Sequence, residues 1–159
     1  MNDYGVTGAT TGVEVLMHLP IHELWSGVTA IERYGEWSPE CYYGAWLEPR
    51  ARFEARNRFA GGLETYVTCT VTVFQEPKRF GWDVYGGEEL PLAHWEYELV
   101  DRGAETLVRQ TFTHGPGDSG LRMGVVKYPD RAAEIIQGRL DELAANMRTT
   151  LAAMETALS

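Results

Sequence analysis

Three polar side chains on the predicted strands could act together on a carbonyl group. His114, next to Gly115, could give or take a proton, because an imidazole titrates near neutral pH. Tyr97 could donate a hydrogen bond to the carbonyl oxygen, and Asn57 could polarise the group. These residue types suit enolisation or an aldol-type ring closure, so we take them as the candidate catalytic residues. The alternative is that each is bonded to backbone or water in a structural role.

Aromatic side chains accompany these polar groups on the same faces of the predicted strands. A mostly aromatic wall with a few placed polar groups is typical of small-molecule sites. The predicted ligand-binding residues are Trp37, Phe53, Asn57, Trp82, Trp95, Tyr97, Gln110, Phe112, His114, Met123, Ile136, Leu140, Leu143 and Met147. The alternative is an ordinary filled core, because a sheet beneath a helix needs large side chains whether or not a cavity exists.

Three short motifs resemble functional sites but lack the surroundings that such sites need. The segment 115–120, GPGDSG, matches the G-x-G-x-x-G pattern of dinucleotide sites, yet no second parallel strand follows it. Its last four residues resemble the serine loop of trypsin-like proteases, which need a double barrel and a longer chain. His18 and His22 straddle Pro20 and do not share a helix face. We expect no cofactor and no bound metal.

The composition limits the class of protein. A chain of 159 residues, 44% hydrophobic and 23% charged, fits one folded domain. Its formal charge of −9 disfavours nucleic acid and anionic lipid surfaces as partners. The sequence has neither a secretion signal nor a membrane-spanning apolar run, and its two cysteines are Cys41 and Cys69. We therefore expect a cytoplasmic protein with free thiols, without membrane contact, as a monomer or homodimer.

The elements that must position these residues follow from the alternation of apolar and polar side chains. That alternation predicts seven strands of an antiparallel sheet with one buried face. It begins at Val13, so residues 1–12 are predicted as a flexible tail and residues 13–159 as the domain. The last strand directs one set of side chains inward, namely Thr106, Val108, Gln110, Phe112 and His114. The strand that begins at Glu64 directs inward Val67, Cys69, Val71 and Val73.

Helical spacing of apolar residues appears in two places. Between residues 20 and 37 it indicates two short helices, and after Asp130 it indicates one helix of about 29 residues, with Asp130 as N-cap. The long helix carries a single apolar stripe, which must lie on a broad apolar layer such as a curved sheet. Ser119 could cap a further helical turn, so that residues 119–127, with Met123, would form an entrance flap.

The order of strand, two short helices, six strands and long helix resembles the SRPBCC superfamily, the START-like and pollen-allergen-like helix-grip fold, in its polyketide cyclase/dehydrase branch. The residues that carry the resemblance are Pro20, Leu24, Trp25, Glu36-Trp37-Ser38-Pro39-Glu40, Ala51-Arg52-Phe53, Asn57-Arg58, Glu76-Pro77, Phe80, Trp82, Trp95-Glu96-Tyr97-Glu98-Leu99, Thr106 and Val108. The resemblance implies an α+β fold with a hydrophobic cavity between sheet and helix. Different members use that cavity to carry lipids, to bind hormones, or to fold and dehydrate polyketide intermediates.

The residues and the resemblance together leave several functions open. The first is binding of a small hydrophobic or aromatic, polyketide-like molecule, with or without a cyclase, aromatase or dehydratase reaction. A non-enzymatic carrier of lipids or other small molecules would use the same cavity. The third is a protein-interaction module with a filled interior. The inward polar trio Asn57, Gln110 and His114 favours a cavity, because a filled interior has no need to bury such groups.

Overall fold

The computed structural model describes residues 3–159 and contains, among them, seven strands and four α-helices. In chain order the elements are β1 (Thr10–Met17), α1 (Ile21–Val28), α2 (Tyr34–Trp37), β2 (Cys41–Glu48), β3 (Arg52–Arg58), β4 (Glu64–Gln75), β5 (Arg79–Tyr85), β6 (Ala93–Arg102), β7 (Glu105–His114), α3 (Gly120–Lys127) and α4 (Ala132–Leu158). Short 3₁₀ turns, Ile31–Arg33 and Pro129–Arg131, precede α2 and α4. No helix within the described residues is long and apolar enough to cross a lipid bilayer.

The strands form one antiparallel sheet in the order β1-β7-β6-β5-β4-β3-β2. From β2 to β7, strands that follow one another in the chain are also neighbours in the sheet. Strand β1 lies at the edge opposite β2, where it pairs with β7. The sheet is curved, and α4 lies against its concave side. This arrangement confirms the predicted helix-grip fold, including the two short helices between the first two strands.

Strand β7 shows why the alternation of residue types predicts the inner face of the sheet. Thr106, Val108, Gln110, Phe112 and His114 are all buried, while residues 109 and 111 between them are exposed. Successive side chains of a strand point to opposite faces, so every second residue must tolerate the same surroundings. The prediction that these five side chains face inward is confirmed.

Strand β4 departs from the predicted alternation near its end. Its pairing with β5 contains an irregularity between Val71 and Val73 that is typical of a β-bulge. The extra residue of a bulge makes the side chains that follow it point to the opposite face of the sheet. Phe74 therefore packs on the core instead of Val73, with its ring 5.4 Å from that of Trp25 and 5.8 Å from that of Phe80, edge to face. The prediction that Val73 faces inward is wrong for this reason.

The N-cap of helix α4 lies one residue later than predicted, so the helix begins at Ala132. Asp130 is not its N-cap, because Asp130 lies inside the 3₁₀ turn, where the Arg131 N–H donates to the Tyr128 carbonyl at 3.0 Å. The N-cap position is taken by Arg131, whose side chain makes no capping bond and instead pairs with Glu134 at 2.9 Å. The apolar stripe is as predicted, and its buried members are Leu140, Leu143, Met147, Leu151 and Met154.

Ordered structure begins before Val13. Strand β1 starts at Thr10, and Val6 is fully buried in a small second core with Val125 and Ala132. The chain between them is fixed to β7, because the Gly8 N–H donates to the His114 carbonyl at 2.8 Å. The sequence signal is weak here because the glycines and threonines of this segment have no apolar period.

Burial of the helix stripe should dominate the stability of the fold. We expect Leu151→Ala to lower the free energy of unfolding by about 2–5 kcal/mol, because Leu151 is 1% exposed and its removal leaves a cavity. Leu16→Ala is the matched control, since Leu16 is 47% exposed on β1. Urea unfolding followed by circular dichroism measures both. Equal effects of the two substitutions would contradict the packing described.

Candidate functional site

A cavity of about 770 Å³ lies between the inner face of the sheet and helix α4. Its walls are mostly apolar because they are the inward residues of five adjacent strands, β3 to β7. The apolar residues that line it include Phe53, Ala55, Val67, Cys69, Trp82, Val84, Leu92, Ala93, Trp95, Phe112, Leu143 and Met147. The interior of the domain is therefore not filled by side chains.

The aromatic rings of the wall fix one another through edge contacts. Trp82 lies 5.5 Å from Phe53, 6.1 Å from Tyr97 and 6.2 Å from Tyr34, measured between ring centroids. Trp95 forms a similar contact with Phe112 at 5.1 Å. Tilted and edge-to-face pairs are the favoured geometries of aromatic rings. These contacts fix the positions of the rings around the cavity.

Gln110 is the most unusual polar group of the cavity. Its side chain is 5% exposed, and its Oε1 atom has no hydrogen-bond partner among the described residues. A buried acceptor without a donor costs about 1–3 kcal/mol, which a donor group that reached the Gln110 Oε1 would recover. Tyr97 lies directly opposite Gln110 in the β6–β7 register. Burial raises the pKa of the Tyr97 phenol, so it remains a neutral hydroxyl that can donate a hydrogen bond.

His114 lies at the end of β7, where the cavity meets the start of α3. Its Nδ1 is 2.6 Å from the Gly115 carbonyl oxygen, and its Nε2 is 2.5 Å from the Ser119 Oγ. A carbonyl only accepts, so Nδ1 carries the hydrogen and Nε2 accepts from the serine hydroxyl. Burial, together with the nearby Arg122 charge, lowers the pKa of His114 and favours the neutral ring.

Asn57 lies on β3 and lines the cavity from the opposite side. Its Nδ2 donates a long hydrogen bond of 3.4 Å to the Thr65 Oγ1. Tyr97 lies on β6, which is three strands away from β3, roughly 14 Å along the sheet. His114 is four residues beyond the residue opposite Tyr97, roughly 13 Å along the strand. The three candidate catalytic residues therefore share one cavity but do not meet at one point.

Ten of the predicted ligand-binding residues line the cavity, and four do not. The ten are Phe53, Asn57, Trp82, Trp95, Tyr97, Gln110, Phe112, His114, Leu143 and Met147. Trp37 is buried elsewhere, with the Arg33 guanidinium 4.7 Å above its ring, and Met123 points outward from α3 with 67% of its surface exposed. Ile136 packs against the small second core, and Leu140 belongs to the solid part of the main core. The apolar stripe of α4 is wider than the part that faces the cavity.

The polar side of the cavity was not predicted from the sequence. It is formed by a row on α4, namely Arg139, Glu142, Asn146 and Thr150. Spacings of three and four residues place them along one helix face beside Leu143 and Met147, and this spacing is the signal that could have found them. Arg139 forms two bonds to Glu40, of 2.7 and 2.9 Å, and so connects α4 to the segment before β2.

Two thiols and a further tyrosine also line the cavity. Burial raises the pKa of Cys41 and, more strongly, that of Cys69, so both thiols remain protonated and weakly nucleophilic. Tyr34 donates its hydroxyl hydrogen to the Val28 carbonyl oxygen, and burial raises its pKa well above the ordinary value. These groups contribute surface and weak polarity to the wall. Within the described residues no cluster of His, Cys, Asp and Glu side chains has the geometry of a metal site.

The comparisons with known proteins agree with this architecture. The family model described as polyketide cyclase / dehydrase and lipid transport matches residues 9–152. No curated protein matches the chain. Similar solved structures include the Polyketide_cyc-like protein Cgl2372 from Corynebacterium glutamicum, with 25% identity and a TM-score of 0.65, over 96% of this chain and 92% of that one.

Two further structures share the fold at lower identity. A START superfamily protein from Mycobacterium smegmatis is 16% identical, with a TM-score of 0.60 over 86% of this chain and 100% of that one. The di-domain ARO/CYC StfQ from the steffimycin biosynthetic pathway is 10% identical, with a TM-score of 0.71 over 94% of this chain and 50% of that one. Because the family model spans nearly the whole sequence, the chain belongs to the polyketide cyclase/dehydrase and lipid transport family.

Proposed function

We propose that this chain binds a small, largely aromatic molecule that carries a hydrogen-bond donor. The observation that carries the proposal is the unpartnered Gln110 Oε1 in a cavity with aromatic walls. The cavity volume of about 770 Å³ falls within the range of roughly 300–1,000 Å³ that is usual for ligand pockets. An interaction module with a filled interior would have no use for such a space.

The shape and polarity of the walls favour a flat ligand with an apolar body. Trp82, Trp95 and Phe112 present ring faces and edges to the cavity, and aromatic ligands pack well on such surfaces. A hydroxyl or phenol on the ligand would satisfy Gln110, and a carbonyl would accept from the Tyr97 hydroxyl. A hydroxylated aromatic ketone, such as a polyketide-like compound, offers both groups.

A second candidate function is catalysis of ring closure or dehydration on a bound polyketide-like substrate. Tyr97 and Gln110 favour it, because residues directly opposite in an antiparallel pair have Cβ atoms about 4.5–5.5 Å apart. Two side chains that start this close together can reach the same ligand, and a phenol bonded to a developing oxyanion stabilises an enol. His114 and Asn57 are too distant to take part in the same step. The description of the family, and the ARO/CYC designation of StfQ, are consistent with this class of reaction.

Ligand entry should be visible in the fluorescence of the wall tryptophans. We expect alizarin, a flat hydroxylated anthraquinone, to quench the fluorescence saturably, because Trp82 and Trp95 line the cavity. The double variant Trp82→Phe/Trp95→Phe should lose most of the quenching. Trp46→Phe is the matched control, since the Trp46 ring lies beside that of Phe53, 5.5 Å between centroids, and does not line the cavity. Quenching that is unsaturable, or that depends equally on Trp46, would contradict binding in the cavity.

The acceptor Gln110 should select ligands by their donor group. We expect Gln110→Leu to weaken binding of naphthol about tenfold, the value of one hydrogen bond of about 1.4 kcal/mol, and to leave naphthalene binding unchanged or slightly tighter. Gln137→Leu, on the exposed face of α4, should change neither. Isothermal titration calorimetry measures all four combinations. An equal loss for both ligands would show that Gln110 acts only through packing.

Carriage and catalysis can be separated with an aromatic β-diketone. If Tyr97 stabilises an enol, the protein should accelerate deuterium exchange at the methylene carbon of benzoylacetone, observed by NMR. Tyr97→Phe should then lower the exchange rate about tenfold or more while binding persists. Binding of benzoylacetone without faster exchange would identify a carrier and exclude this catalytic role of Tyr97.

A further inference from the structure

A serine and a histidine that are distant from the polar pair of the cavity form a hydrogen-bonded dyad at its rim. The Ser119 Oγ lies 2.5 Å from the His114 Nε2, and the Gly115 carbonyl oxygen orients the ring by accepting from Nδ1 at 2.6 Å. The hydroxyl hydrogen therefore points at an unprotonated imidazole nitrogen. This is the contact through which an imidazole takes the proton of a nucleophilic serine.

The loop that carries the dyad is bonded to one partly buried arginine. The Arg122 guanidinium donates to the Gly117 carbonyl at 3.0 Å and to the Gly115 carbonyl at 3.2 Å. It also bonds Asp3 and the Thr7 hydroxyl, the latter at 2.7 Å. The hydrogen bonds from Arg122 and from the Thr7 N–H lower the pKa of the Asp3 carboxyl to about 2. The histidine and the serine thus keep their relative positions by contacts outside the dyad.

Two of the three glycines of the GPGDSG segment, Gly115 and Gly117, are explained by the packing of this loop rather than by a nucleotide. A Cβ at Gly115 would lie 2.3 Å from the Pro91 carbonyl oxygen, and one at Gly117 would lie 2.8 Å from the Leu90 carbonyl oxygen. Such contacts are too close for any side chain. The Gly117 N–H donates to the Pro91 carbonyl oxygen at 2.9 Å. Glycine is required here because the loop lies directly on the segment between β5 and β6.

The start of α3 supplies donors beside the serine. Ser119 is the N-cap of this eight-residue helix, and its Oγ accepts from the Arg122 N–H at 3.0 Å. The first N–H groups of a helix have no partner within it, so those of Gly120 and Leu121 can bind an anion. Ser119, Gly120 and Leu121 all line the cavity. An oxyanion that forms on an atom attacked by Ser119 would lie next to these donors.

We propose that Ser119 is the nucleophile, and His114 the base, of an acyl-transfer site that hydrolyses esters of apolar carboxylic acids. The acyl chain occupies the aromatic cavity, so this inference rests on the proposed binding function for its substrate class. The polar pair Tyr97 and Gln110 takes no part in it. The unpartnered Gln110 Oε1 is an independent sign that the same cavity receives a ligand.

The reaction balances with water as the second substrate. The Ser119 Oγ bonds to the ester carbonyl carbon while its proton passes to the His114 Nε2. The bond from that carbon to the alcohol oxygen then breaks, and the imidazolium protonates the leaving alkoxide. Water, deprotonated by the same imidazole, attacks the acyl-serine and releases the carboxylic acid with the free serine.

The test uses p-nitrophenyl butyrate as substrate and a fluorophosphonate as covalent probe on the full chain. We expect hydrolysis above the buffer rate and labelling at Ser119, located by mass spectrometry of the digested protein. Ser119→Asn, which retains a good N-cap residue, should lower the rate roughly a hundredfold. His114→Gln should do the same. Ser26→Ala, an exposed serine on α1, is the matched control and should leave the rate unchanged.

The pH profile distinguishes a catalytic base from a merely structural histidine. Since burial lowers the pKa of His114, the midpoint of the fall in rate at acid pH should lie below about 6.5, the ordinary value for a histidine. Absence of labelling at Ser119, or full activity in folded Ser119→Asn, would overturn the proposal. Alizarin binding measured on the unaltered chain keeps the two proposals apart, because binding without ester hydrolysis would overturn only the acyl-transfer site.

Discussion

The rest of the structure depends on where the long helix can touch the curved sheet. Helix α4 packs against β1 at one edge of the sheet and against α1, α2 and α3. A straight helix cannot follow a concave surface along its whole width, so the strands beyond that edge face it across a space. The cavity is the consequence of this mismatch in shape, and the aromatic rings on β5 to β7 form its walls because they are the residues left facing it.

The side of α4 that faces this space is held by polar contacts in addition to the packing of Leu143 and Met147. Arg139 bonds both oxygens of Glu40, and its guanidinium lies 5.4 Å from the Phe59 ring. An ion pair that is half withdrawn from water adds little net stability, because desolvation offsets much of the attraction. It does fix the distance between the helix and the start of β2. The curvature of the sheet thus forms one side of the cavity, and the Arg139–Glu40 ion pair lies on the other side.

The cavity separates its polar groups into distinct places. Gln110 and Tyr97 lie opposite each other on β7 and β6, His114 and Ser119 lie at the rim, and Asn57 lies on the far strand. A family whose members share one fold can differ in function through such groups, because function depends on the site and not on the architecture. In this chain the apolar body of the cavity determines the class of ligand. The two polar pairs are the groups through which we propose that the chain acts on a ligand.

The sequence by itself determined the faces of the strands and therefore most of the fold. The alternation on β7 predicted all five inward residues, since each strand residue is either inside or outside. The tertiary structure alone decided the distances between faces. It decided that a bulge turns Phe74 inward, that Arg139 to Thr150 form a polar wall, and that His114 meets Ser119. Periodicity records which side chains share the same surroundings, whereas contacts across a cavity depend on how far apart separate elements come to rest.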